Sequence, residues 1–348
     1  MPPTEDAEPQ PTSDRVTSIG EFSLIARIID RLGDAAASDI LVPPGDDAAV
    51  WREEAPAVVA TIDALTEGNH WRADTMSLAD VGWRAVAVNV SDLAAMGAEP
   101  AYLLVAASLA PGLPLAELDA FVDGMAEACR VHGVSVAGGD IVRGNATMFT
   151  IAAYGRATLA ETGEASVLRR DGAAVGDAVA VSGHPGASAA GLALIESGRG
   201  DVDAAKPLVR AHRRPSARVE LGLAAVAAGI RCAIDVSDGL LQDLDHIAER
   251  SGVGIEVDCA AVPVHPAARE LLGDETALDL ALGGGEDFEL VLVGPETALL
   301  ALDTTGLPVT VIGRVVGEHP GTTVARDIEG KPYAPPRRGW DQLEVAPA

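Results

Sequence analysis

Ala87-Val88-Asn89-Val90-Ser91-Asp92-Leu93-Ala94-Ala95-Met96-Gly97-Ala98 closes a long apolar segment with a glycine stop and carries an amide and a carboxylate close to its end. Upstream, Ser77 followed three residues later by Asp80 has the form of a capping box. Val81, Ala85, Val88 and Val90 follow, so the spacing predicts a helix running to Met96 and ended by Gly97. Asn89 and Asp92 therefore belong to a helix.

Strand and helix patterns alternate on both sides of it. Phe22, Ile25, Ala26, Ile29 and Leu32 recur at helical spacing before Gly33. Val58 to Ile62 is a β-branched run that predicts a buried strand closed by Asp63. A strand over 101–109, an amphipathic helix over 115–131, a strand over 134–137 leading into a Gly138-Gly139-Asp140 loop, and a strand over 147–155 complete the first half. The polar stretch 161–176 is the expected boundary between two domains, 19–160 and 161–345. Beyond it come strands at 178–182, 232–236, 253–257, 288–293 and 309–315, with helices at 189–195 and 216–228. A further helix opens at Asp238 and buries Leu240, Leu241, Leu244, Ile247 and Ala248. This pattern predicts an α/β (α+β) protein of two layered domains, and 348 residues suit two cores better than one.

The 52 acids against 25 bases give a net charge of −27, which argues against nucleic-acid and anionic-membrane partners. Cys129, Cys232 and Cys259 form no C-x-x-C pair and read as small buried hydrophobes. No apolar run is long enough to span a bilayer. Residues 1–18, acidic and proline-rich, read as a disordered tail and not as a secretory signal. A cytoplasmic protein is expected.

Acidic phrases recur where apolar segments end: Gly45-Asp46-Asp47-Ala48-Ala49, Thr61-Ile62-Asp63, Ser91-Asp92-Leu93, Gly138-Gly139-Asp140 and Asp235-Val236-Ser237-Asp238-Gly239. They fall where apolar segments end and turns begin, which is where loops on a rigid scaffold carry chemistry. Carboxylates gathered in this way repel one another unless hard cations lie among them, and Mg²⁺ is the usual cation that also recruits phosphates. Neither a Walker A sequence nor a protein-kinase set occurs, so an ATP user of this kind would rely on metal ions. Any one of these aspartates alone could be a helix cap or turn former; their joint occurrence is the argument.

The Ala87–Ala98 and Asp235–Leu240 phrases, with Gly20-Glu21-Phe22-Ser23-Leu24-Ile25-Ala26-Arg27, Gly68-Asn69-His70-Trp71 and Gly284-Gly285-Glu286-Asp287-Phe288-Glu289-Leu290, resemble the thiamine-monophosphate kinase family of the aminoimidazole ribonucleotide synthetase-like superfamily. The order and spacing match over almost everything after residue 18. The resemblance implies the two-domain fold of that superfamily, with N-terminal domains pairing in a homodimer. It also implies ATP-dependent phosphorylation of thiamine monophosphate. By position, Asp47, Thr61, Asp63, Asp92, Asp140, Asp235 and Asp238 correspond to Mg²⁺ ligands, with Asp92, Asp140 and Asp238 taken as catalytic. Gly139, Asp140, Arg170 and Ser237 correspond to ATP contacts, and His70, Glu286 and Trp340 to contacts with thiamine phosphate. After Asp140 the chain has Ile141-Val142 where relatives often carry two threonines.

Other readings compete. A sister synthetase using selenide would be expected to carry a reactive cysteine near the start of the chain, and none precedes Cys129. A synthetase that activates an amide would be expected to lack the Gly20–Arg27 phrase, whereas a non-catalytic binder could lose several aspartates without cost. Trp340 could staple the end of the chain to the core, or stack on a cationic ring. His132 and His246 read as packing or surface residues, and the basic stretch Lys206–Arg218 as a solvated helix face.

Overall fold

The computed structural model describes residues 15–44, 48–160, 163–302 and 306–340. Its first half runs α1 (Glu21–Leu32), β1 (Val58–Thr66), α2 (Leu78–Ala95), β2 (Glu99–Leu109), α3 (Leu115–His132), β3 (Ser135–Arg143) and β4 (Met148–Arg156). These strands form one sheet, β1-β4-β2-β3, antiparallel except between β2 and β3. A small hairpin, β5 (Thr158–Leu159) with β6 (Ala165–Ser166), bridges the expected boundary at 160/161.

The second half comprises β7 (Ala178–Ser182), α4 (Ala187–Glu196), α5 (Lys206–Arg213), α6 (Val219–Ala227), β8 (Cys232–Asp235), α7 (Leu240–Ser251) and β9 (Gly254–Asp258). It continues through α8 (Pro266–Leu272), α9 (Asp274–Gly283), β10 (Leu290–Gly294), α10 (Glu296–Leu300), β11 (Val309–Val316), β12 (Thr323–Arg326) and β13 (Pro332–Tyr333). Its strands form a seven-stranded sheet in the order β13-β12-β9-β11-β7-β10-β8.

The helix read from the Ala87–Ala98 phrase is α2, and it joins the two halves. Ser77 accepts the Asp80 N–H, as a capping box requires, and Gly97 turns the chain at φ 66°. Nearly all of its residues are buried, the mark of a helix enclosed on every side. Small residues make this possible. A Cβ on Gly82 would lie 2.0 Å from Phe121 O, and one on Gly124 of α3 would lie 1.8 Å from Ala79 O. On the other side, a Cβ on Gly222 of α6 would lie 2.1 Å from Ala94 O.

Three expectations change. The run Val58–Ile62 is not a buried strand closed by Asp63: β1 continues to Thr66 as a sheet edge, with Val58 and Ile62 exposed on one face. Composition alone could not distinguish an edge from a centre. Gly138-Gly139-Asp140 lies inside β3, not in a loop. Residues 15–18, assigned to the disordered tail, instead form a turn in which Val16 is buried and donates its N–H to Leu113 O.

His132 packs edge-on against Trp83 with its Nε2 unpartnered, and burial, aided by the Arg218 charge, pushes its pKa down to about 4. Burial does the same to His212, also to about 4, with Arg84 adding to it. Each imidazole gains a proton more readily when the chain unfolds. Their contribution to stability is therefore complete above pH ~6.5 and is lost as pH falls toward about 4. His132→Phe is expected to flatten the fall in stability between pH 6.5 and 4.5 by up to about 1.4 kcal/mol per pH unit. Urea unfolding at several pH values measures this, and an unchanged slope would rule His132 out as the titrating group.

Candidate functional site

The end of α2 brings β1 and β8 together through polar side chains. Asn89, anchored by its own Nδ2 on Ala85 O at 2.9 Å, accepts the Asp63 N–H at 3.1 Å. Thr61 Oγ1 donates to Asp92 Oδ2 at 2.5 Å, and Ser91 Oγ donates to Asp235 Oδ2 at 2.7 Å. Asp235 ends β8 and is buried. The turn that follows is held by Asp243 Oδ2, which accepts the N–H groups of Ser237, Asp238 and Gly239 at 3.0, 3.2 and 3.0 Å. Asp238 precedes α7, whose N-cap is Gly239, and Asp243 from the first helical turn takes up the free N–H groups. Asp238, Asp243 and His246 offer ligand atoms within 4.8 Å of one another.

Burial, and after it mutual repulsion, marks this group. Asp63 is pushed up to about 6 by burial, then by the charges of Asp92 and Asp238. Burial raises Asp92 despite the Thr61 bond and the Arg170 charge. Burial and then Asp92 raise Asp235. Burial raises Asp243 to about 8, against the opposing bond from the Gly239 N–H. The donors brought together from β1, α2 and the β8–α7 turn are oxygens, Thr61 and the carboxylates of Asp63, Asp92, Asp235 and Asp238, with the His246 nitrogen near Asp238 and Asp243. Oxygen is the donor chemistry a hard cation such as Mg²⁺ takes, and it leaves thiolate-preferring metals unsuited.

A second wall closes on the same turn. Glu286 N–H donates to Ser237 O at 2.6 Å and Phe288 N–H to Val236 O at 2.9 Å, with φ of 66° and 54° at these two residues. Few non-glycine residues adopt such angles. Trp340 donates its N–H to Asp238 O at 3.0 Å and accepts from Gln242 Nε2 at 2.8 Å. The residue stays 45% exposed, with the Arg337 guanidinium 4.9 Å from the centre of its ring. Ser237, Asp238, Glu286 and Trp340 are thus neighbours, and the exposed Arg170 acts electrostatically on Asp92 and Asp235.

Of the other expected site residues, two stand apart. Gly139 and Asp140 are exposed on β3, at the opposite edge of the sheet from β1. Gly139 is level with Asp63 through Val105 and Ile151, three strand spacings or roughly 14 Å away. His70 occupies the turn after β1, where its Nδ1 accepts the Thr66 N–H at 3.1 Å. Asp47 lies outside the described residues.

Sequence reading gave no role to Ser91, Arg84 or Asp243. Asp243 could have been found as an acid in the first turn of a helix whose preceding residues offer N–H groups. The acids of Gly284–Leu290 also divide in a way the motif does not reveal. Asp287 is buried and accepts the Gly186 and Ser188 N–H groups at 2.6 and 2.9 Å. Glu289 pairs with Arg218 and accepts from Ser182 Oγ at 2.5 Å. Only Glu286 remains partly open.

Two family models match in tandem: "AIR synthase related protein, N-terminal domain" over residues 45–157, and its C-terminal counterpart over 174–325. The chain is 38% identical over 331 residues to thiamine-monophosphate kinase of Escherichia coli K12, covering 93% of this chain and 98% of that one. It resembles the crystal structure of thiamine-monophosphate kinase from Stenotrophomonas maltophilia K279a at TM-score 0.78 and 38% identity, over 90% and 98% of the two chains. It also resembles AaThiL complexed with AMPPCP and TMP at TM-score 0.72 and 30% identity, over 93% and 98%. With both domains matched in order and the likeness running through almost the whole length, this chain belongs to the thiamine-monophosphate kinase family.

Proposed function

We propose that this chain transfers the γ-phosphoryl group of ATP to the phosphate of thiamine monophosphate, giving ADP and thiamine diphosphate. The observation that carries this reading is the convergence of Asp63, Asp92, Asp235 and Asp238 from β1, α2 and the β8–α7 turn. It occurs in a chain 38% identical to a kinase of that name. Those four residues with Thr61 would hold Mg²⁺, and Asp47 and Asp140 join them on the family resemblance. When bound, Mg²⁺ supplies charge neutralisation between two anionic phosphates.

The attacking group is a phosphate monoester with a second pKa near ~6, so at neutral pH it is already largely dianionic. No side chain has to remove a proton. The protein's work is to hold donor and acceptor in line and to keep their charges compensated. Gly139, Asp140, Arg170 and Ser237 are assigned to ATP; the positive charge of Arg170 beside Asp92 and Asp235 suits an anionic ligand. His70, Glu286 and Trp340 are assigned to thiamine phosphate, and the exposed Trp340 ring suits the cationic thiazolium. Asp92 and Asp238 are assigned as catalytic from this cluster, and Asp140, at the far edge of the sheet, on the family resemblance alone.

A homodimer belongs to the same reading, with 19–160 and 161–345 as the two domains of each copy. Val58, Ile62, Val142 and Met148 are exposed on one face of the first sheet, an apolar surface for a second copy to cover. Cytoplasmic location fits the use of ATP and three free buried cysteines.

The direct test is product formation from purified protein, ATP and thiamine monophosphate, with and without Mg²⁺. Thiamine diphosphate is expected only with the metal, and none is expected when free thiamine replaces the monophosphate. Absence of thiamine diphosphate under the complete conditions would refute the assignment.

A further inference from the structure

Arg84, 1% exposed, is the only lysine or arginine so deeply buried among the described residues. It leaves α2 and enters the second half of the protein. Nη1 donates to His212 O at the end of α5, and Nη2 lies 2.5 Å from Glu286 Oε1. The guanidinium stands 5.6 Å from the centre of the Phe288 ring. Neither Nε nor Nη2 makes a hydrogen bond, so Nη2 meets Glu286 as an ion pair. A guanidinium held in this way is costly to bury, and burial is tolerated only with a counter-charge close by. Glu286 provides that charge.

Glu286 is itself unusual. Its backbone is left-handed, its N–H is tied to Ser237 O beside the aspartate group, and its side chain is 38% exposed. Asp287 and Glu289, on either side of Phe288, are fixed by α4 and by Arg218. The segment is thus pinned around one open carboxylate, and the remaining freedom is the direction of that carboxylate. Arg84 engages Oε1. We infer that Arg84 is a positioning residue: it fixes Glu286 through Oε1 so that Oε2 is presented to the cationic, N–H-bearing organic portion of thiamine monophosphate, away from its phosphate. This rests on the assignment of Glu286 to that substrate.

The test compares Arg84→Met, Arg84→Lys, Glu286→Gln and the Arg84→Met/Glu286→Gln double variant of the full chain. The readouts are KM for each substrate, kcat and melting temperature. Arg84→Met is expected to raise KM for thiamine monophosphate about tenfold or more while KM for ATP moves less than about twofold. Arg84→Lys should recover part of the loss, since it keeps the charge without the planar fork. The double variant should match Glu286→Gln alone, because the arginine then has nothing left to position.

An equal rise in both KM values, or a lower melting temperature with KM unchanged, would leave Arg84 as a mere clamp between halves and overturn the inference. If Arg84→Met does not fold, the double variant, which removes both charges of the pair, carries the comparison. A KM equal to that of Glu286→Gln supports positioning, and a further rise refutes it. Glu286→Gln with unchanged KM for thiamine monophosphate would sink the assignment of Glu286 itself. An impaired Glu286→Gln beside a normal Arg84→Met would sink only the role of Arg84.

Discussion

Asp92→Asn is expected to reduce turnover about 10³-fold while the protein stays folded and melts no lower than the parent. The substitution keeps the shape of the side chain, and its amide oxygen can still accept from Thr61 Oγ1, now 2.5 Å from Asp92 Oδ2. It removes one of the charges that push Asp63 and Asp235 upward. Relief of that repulsion stabilises the metal-free protein, whereas the site loses a negative oxygen ligand. The two effects have opposite signs, which separates a ligand from a structural carboxylate. Melting with and without Mg²⁺ gives the second readout: the stabilisation that the parent gains from the metal should shrink in the variant. Near-normal turnover, or an undiminished response to Mg²⁺, would remove Asp92 from the proposed ligands.

The helical part of this arrangement was legible because α2 states its own limits, with Ser77 and Asp80 at one end and Gly97 at the other. The aspartates were legible as a group and only in part by location. Asp92 was expected on its helix and lies within α2, whereas Asp63 was expected to close a strand and Asp140 to sit in a loop, and they lie within β1 and β3. A chain with strong local pattern signals reveals its elements, whereas which strand forms an edge depends on pairing between distant segments. That is why β1 was expected to be buried. The basic stretch Lys206–Arg218 shows the same limit. It was read as a solvated face, but Arg213 donates to Thr75 O, Arg214 pairs with Asp80 and Glu127, and Arg218 pairs with Glu289. Arg213 and Arg214 brace the second half against the turn before α2, α2 itself and α3, Arg218 holds Glu289 just before β10, and none of those partners is close in sequence.

Glu289→Gln should have the opposite signature to Asp92→Asn: a large loss of stability, with KM for both substrates nearly unchanged in the folded enzyme. Glu289 is buried, Arg218 donates to it through Nε at 2.7 Å and through Nη2, and Ser182 Oγ donates to Oε2. The carboxylate also fills the space beside Gly183, where a Cβ would come 2.0 Å from Oε1. Glutamine keeps the volume, but whichever way its amide turns, an N–H group faces a donor. Arg218, whose side chain is 24% exposed, then loses its counter-charge. Breaking a buried pair from one side costs about 3–5 kcal/mol, and the partial exposure of Arg218 points to the lower end. Urea unfolding measures the loss, and Arg218→Met/Glu289→Gln should recover much of it by removing the stranded charge. A loss below about 1 kcal/mol would mean that solvent already screens the pair. The site uses carboxylates in two ways: Asp92 is held among like charges, so neutralising it relieves the fold, whereas Glu289 holds a cation, so neutralising it strands one.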